Sequence, residues 1–136
     1  MGESRIQLLN INEGERNMAT VTITREQKTC ADLVGEKYEE RHRQFKDAYK
    51  DDSDFWNYLN ENILGYDYVE AGTFKNQKEG YWRLQFSWGG PSDEIQFYTD
   101  EKDNIKRVEY VYFDWFDRAS LTVKDDIWNI IYEGCR

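Results

Sequence analysis

Apolar and polar positions alternate with a period of two through Trp82, Leu84, Phe86 and Trp88, with Tyr81, Arg83, Gln85 and Ser87 between them. That alternation predicts a half-buried strand, which Gly89-Gly90-Pro91 ends. Ile95 and Phe97 mark one face of a second strand, and Asp100-Glu101-Lys102-Asp103-Asn104 reads as a hairpin loop. Val108, Tyr110 and Tyr112 line one face of a third strand, with Arg107, Glu109 and Val111 on the other. Residues 80–123 therefore predict an aromatic, three-stranded antiparallel meander. Its two corners, Trp88-Gly89-Gly90-Pro91-Ser92-Asp93 and Tyr112-Phe113-Asp114-Trp115-Phe116-Asp117, are crowded with acidic side chains.

A helical period replaces the strand period upstream. Val34, Tyr38, Phe45 and Tyr49, with Leu33 beside them, form one stripe of a helix over residues 32–50. Glu36, Glu39, Glu40, Arg43 and Lys50 make its solvated side. Asp51-Asp52-Ser53-Asp54 supplies capping oxygens for a second helix, whose buried stripe is Phe55, Trp56, Leu59 and Ile63 and whose C-terminal cap is Gly65. Residues 66–76 look irregular or weakly extended. Asp125 or Asp126 caps a short last helix carrying Ile127, Trp128, Ile130 and Ile131. Helices before and after a contiguous sheet give an α+β class: a three- or four-stranded antiparallel meander, two N-terminal helices and one short C-terminal helix. Residues 1–17 show no sustained period and read as a flexible extension or an expression-derived segment. Thr20-Val21-Thr22-Ile23-Thr24 reads as a short strand, and residues 18–136 as one domain.

The chain's 136 residues can bury a core without staples, and 16 % aromatic content argues against disorder even with 33 % charged residues. Cys30 and Cys135 lack metal or redox spacing and are expected as reduced thiols in a cytoplasmic protein. No apolar run is long enough to span a bilayer. The net charge of -9 is unevenly placed: residues 1–50 hold nine acidic and nine basic side chains, so the whole excess lies in 51–136. Direct binding to a phosphate backbone is not expected from such a chain, whereas a basic protein surface is favoured.

Catalytic signals are sparse. His42 is the one imidazole, read as a solvated histidine on the first helix, and Ser87 and Ser92 match no nucleophile elbow. Gly89-Gly90-Pro91 lacks the lysine of a phosphate loop. Asp93, Glu94, Asp114 and Asp117 would hold a divalent ion if the two corners met, but a solvated acidic rim is the better expectation, with no metal and no cofactor. Core packing accounts for most of the aromatic residues. Trp115-Phe116, bracketed by aspartates, fits a partly exposed protein-binding spot better.

Between residues 82 and 121, the order of Leu84, Gly89-Gly90-Pro91, Asp100, Tyr110 and Asp114-Trp115-Phe116 resembles a loose group of small acidic proteins of phages, plasmids and other mobile elements. The resemblance implies no catalytic residue. It does imply a setting in which small proteins inhibit host defence, as anti-CRISPR and anti-restriction proteins do. The expected function is thus a non-enzymatic acidic protein that inhibits a nucleic-acid-dependent host complex by imitating nucleic acid. Asp93, Glu94, Asp100, Glu101, Asp103, Asp114, Trp115, Phe116 and Asp117 would form its partner-binding surface. The alternatives are a metal-dependent hydrolase or nuclease built on the aspartates, and an immunity-type protein that neutralises a toxin.

Overall fold

The computed structural model describes residues 28–51 and 54–135. The extension over 1–17 and the strand expected over 20–24 lie outside the described residues. The class is α+β. Helix α1 (Cys30–Asp51) leads into α2 (Phe55–Asn62), then β1 (Gly65–Val69), β2 (Tyr81–Ser87), β3 (Ser92–Thr99), β4 (Ile105–Asp114), β5 (Asp117–Val123) and α3 (Asp126–Cys135). The strands form one antiparallel sheet in the order β1-β2-β3-β4-β5.

Five strands replace the expected three or four. β1 falls in the stretch read as irregular or weakly extended, because an edge strand of mixed composition owes its extension to its neighbour: Tyr66 pairs with Leu84 and Tyr68 with Trp82. Gly65 accordingly starts β1 and does not cap a helix. β5 continues the meander past the Asp-Trp-Phe-Asp corner, which is a hairpin turn rather than an end.

Register assigns the faces. The rows Leu84-Ile95-Tyr110-Leu121 and Trp82-Phe97-Val108-Val123 lie across β2, β3, β4 and β5 on one side. Phe45 of α1, Leu59 of α2 and Trp128 and Ile131 of α3 pack into the same core. Rings interlock there, with Phe45 5.2 Å from Phe86 and Phe97 5.4 Å from Tyr132.

Polar side chains fix the helices on the sheet. Thr29 and Asp32 cap α1 reciprocally: Asp32 N–H donates to Thr29 Oγ1 at 3.3 Å and Thr29 N–H to Asp32 Oδ2 at 3.0 Å. Asp125 caps α3 by accepting the Ile127 N–H at 2.9 Å, as its position predicts. Asp54 makes no side-chain cap for α2. His42 is not a solvated helix residue. Its Nε2 lies 2.9 Å from Asp125 and its ring stacks on Tyr38, tying α1 to α3. Both cysteines are free, as expected, and no described helix is long and apolar enough to cross a membrane.

Candidate binding site

Asp93 faces the helices. Arg41 of α1 donates to it twice, at 2.7 and 3.0 Å, Tyr110 donates at 2.7 Å, and the Ser87 hydroxyl donates as well. Burial, followed by the charge of Asp93, holds the Tyr110 hydroxyl well above the usual phenol range. Glu94, one residue on, faces the other side of the sheet. Each carboxylate is only 4 % exposed, so neither belongs to a solvated acidic rim. The alternation of a strand places adjacent residues on opposite faces, and this separates them.

Two of the other proposed carboxylates also serve local structure. Asp117 Oδ2 accepts the Cys30 N–H at 2.7 Å, holding the start of α1 from β5. Asp100 Oδ1 accepts from the Lys102 and Asn104 amides and shapes the β3–β4 loop. Glu101 and Asp103 are exposed in that loop. It lies at the opposite end of the strands from Asp114 and Asp117, about 30 Å away at a strand's rise per residue. Among the described residues no three His, Cys, Asp or Glu side chains converge to hold a metal ion.

The Gly-Gly-Pro and Asp-Trp-Phe-Asp corners do share one end of the sheet. Trp88 is 75 % exposed there, Trp115 84 % and Phe116 fully. Trp88 leaves the core stripe that its spacing predicts because the β2–β3 register shifts between Gln85 and Ser87. One extra residue in a strand turns everything after it to the other face. Trp115 and Phe116 form the two-residue turn between paired Asp114 and Asp117. Trp115 has φ 57° and Phe116 does not share the positive φ, so a bulky aromatic stands where such a turn prefers glycine. Its indole lies against Gly90, in whose place a Cβ would sit 3.6 Å from the ring.

Behind this aromatic end, the polar face of the sheet forms a concavity of about 1000 Å³, closed along one side by Phe74 to Glu79 of the β1–β2 loop. Its floor is a ladder along β3. The Tyr98 hydroxyl donates to Gln96 Oε1 at 2.7 Å, and Gln96 Nε2 donates to Glu94 Oε2 at 2.7 Å. All three residues are buried. Burial pushes the Glu94 carboxyl up, against the pull of Gln96 and the nearby Arg83 and Arg118. Two arginines of the walls are already engaged. Arg83 holds Asp67 at 2.7 and 2.9 Å, while Arg107 stacks 3.8 Å over Tyr98 and pairs with Glu79 and Glu109. These positions are the polar half of the strand alternation. Only the cover supplied by the β1–β2 loop turns that half into a pocket.

Compared with known proteins, the chain matches no family model, no curated protein and no solved structure.

Proposed function

We propose that the chain is a non-enzymatic binding protein whose Trp115-Phe116 turn docks on a basic, nucleic-acid-binding protein. In the setting of mobile elements that the resemblance implies, this makes it an inhibitor of a host defence complex. The observation that carries the reading is the pair of exposed aromatics at 84 % and 104 % on a hairpin turn, one of them at φ 57°. Positive φ at a tryptophan costs stability, and such strain persists where function requires the side chain. Exposed tryptophan and phenylalanine on a rigid turn have the character of interface anchors. The charge of -9 favours a basic partner. Contact through one aromatic end replaces the broad imitation of a nucleic-acid surface, since Asp93 and Glu94 are enclosed.

A pull-down of the full chain from host lysate, washed at low and then moderate salt, tests this. One basic nucleic-acid-binding complex should be retained, and Trp115→Ala and Phe116→Ala should each lower its affinity by more than about tenfold, the scale of an anchor residue. Retention that is the same for both variants and wild type would refute the docking role of the turn.

A further inference from the structure

The polar concavity has a chemistry opposite to that of the molecule as a whole. On a chain of net charge -9, it gathers Lys75, Lys78, Arg83, Arg107 and Arg118 against Glu79 and Glu94. Arg83 and Arg107 are neutralised by the carboxylates they hold. Among the described residues, Lys75, Lys78 and Arg118 form no direct ion pair, although the charge of Arg118 reaches Glu94, and the Arg118 guanidinium lies 5.5 Å over the Phe113 ring. An anionic group therefore has three cations to meet at the rim.

The floor asks for something different. Glu94 is 4 % exposed and its Oε2 accepts the Gln96 amide, but no hydrogen bond among the described residues reaches Oε1. A buried carboxylate with an unused oxygen facing an open cavity is an acceptor awaiting a donor. The Tyr98–Gln96–Glu94 chain fixes its direction, so the acceptor is pre-organised. Trp88 and Trp115 flank the opening with ring surface on which a flat group can stack.

We propose that this concavity is a binding site for a nucleotide whose base presents N–H donors to Glu94 and whose phosphate meets Arg118 with Lys75 and Lys78. Guanine fits best, because its base-pairing edge carries two adjacent donors, one for the unused Oε1 and one for the second lone pair of Oε2 beside the Gln96 amide, whereas adenine presents one donor beside an acceptor. A volume of about 1000 Å³ accommodates one nucleotide with its solvent. The acidic exterior still disfavours a longer phosphate backbone. The site shares Trp115 with the docking turn, while its contacts on Glu94 and Arg118 belong to the concavity alone.

The test is titration of the full chain with GMP, AMP, guanosine and inorganic phosphate, read by tryptophan fluorescence and calorimetry. GMP should bind saturably, and guanosine and AMP about tenfold more weakly, the worth of one charge-assisted contact. Phosphate alone should leave the fluorescence unchanged. Arg118→Ala should weaken GMP about tenfold and leave guanosine unaffected. Glu94→Gln should remove the preference for GMP over AMP without lowering the melting temperature, because it replaces a desolvated charge by a neutral group of equal size. The proposal is overturned by absence of saturable GMP binding to wild type, by AMP binding as tightly as GMP, or by GMP affinity that both substitutions leave intact.

Discussion

Asp93 reads in the sequence like one more member of an acidic corner, yet it is the buried centre of a charged network with Arg41, Tyr110 and Ser87. Removing the charge of one member leaves Arg41 facing an uncompensated environment, an effect that costs about 3–5 kcal/mol for buried pairs. Asp93→Asn should therefore lower urea stability by several kcal/mol, while Asp103→Asn in the exposed β3–β4 loop should change it by less than about 0.5 kcal/mol. Equal losses in the two variants would show that the network contributes nothing special. Trp115 presents the reverse case. Glycine adopts its φ of 57° without steric cost, so Trp115→Gly should raise stability by about 1 kcal/mol in thermal unfolding. The same substitution should abolish partner retention. A variant both less stable and still retained would contradict the account of the turn.

At the scale of elements, pH reports how the helices and loops are fastened. Hydrogen bonds from Arg107 and Lys106 draw the Glu79 carboxyl from 4.5 down to about 2. Burial pushes Asp125 up, but the Ile127 amide, His42 and Lys46 outweigh it and bring that carboxyl from 3.8 to about 2. Both groups bind protons more weakly in the folded than in the unfolded chain. The stability they add is complete above about pH 4.5 and is lost as the pH falls towards 2. Asp125→Asn keeps a capping oxygen for α3 and removes the charge. It should be less stable than wild type at pH 7, with the difference disappearing near pH 2. A difference that stays constant across this range would mean that the pairing with His42 and Lys46 is inert. Glu94 runs the other way: its carboxyl is raised above 4.5 by burial, so the cost it adds to folding is relieved as the pH falls towards 4.5, before Glu79 and Asp125 begin to lose their contribution.

Elements also separate what periodicity reveals from what it hides. α1 and the core rows of β2, β3 and β4 follow directly from spacing, since each buries one stripe or one face. β1 and the exposure of Trp88 do not. The first is an edge strand held by its partner, and the second follows from a register shift that acts through inter-strand pairing. The capping of α1 by Thr29 and Asp32 was present in the sequence as a hydroxyl three residues before a carboxylate.

For the whole molecule, charge and shape divide the surface into two regions. The exterior is acidic, and the concave polar face is lined with cations. Association with a basic partner should slow as ionic strength rises, because steering is screened within a Debye length. Replacing Asp114, beside the docking turn, by asparagine should flatten that salt dependence in stopped-flow association, while neutral amides at Glu101 and Asp103, at the far end of the sheet, should leave it nearly unchanged. A salt-independent association rate in wild type would remove charge as the basis of partner choice.

The amino-acid sequence by itself determined the α+β class, the aromatic meander, the helical stripes and the acidity of 51–136. All of these depend on local spacing or on composition, which need no knowledge of distant contacts. Tertiary structure alone decided the roles of Asp93, Glu94 and Asp117. Asp93 meets Arg41 across 52 positions of chain, and Asp117 meets the Cys30 amide across 87. The polar concavity likewise exists only because the β1–β2 loop folds over one face of the sheet. Whether a polar side chain ends as solvated surface, buried anchor or pocket floor depends on what the rest of the chain brings to it. Burial is a property of the packed whole, and no local pattern encodes it.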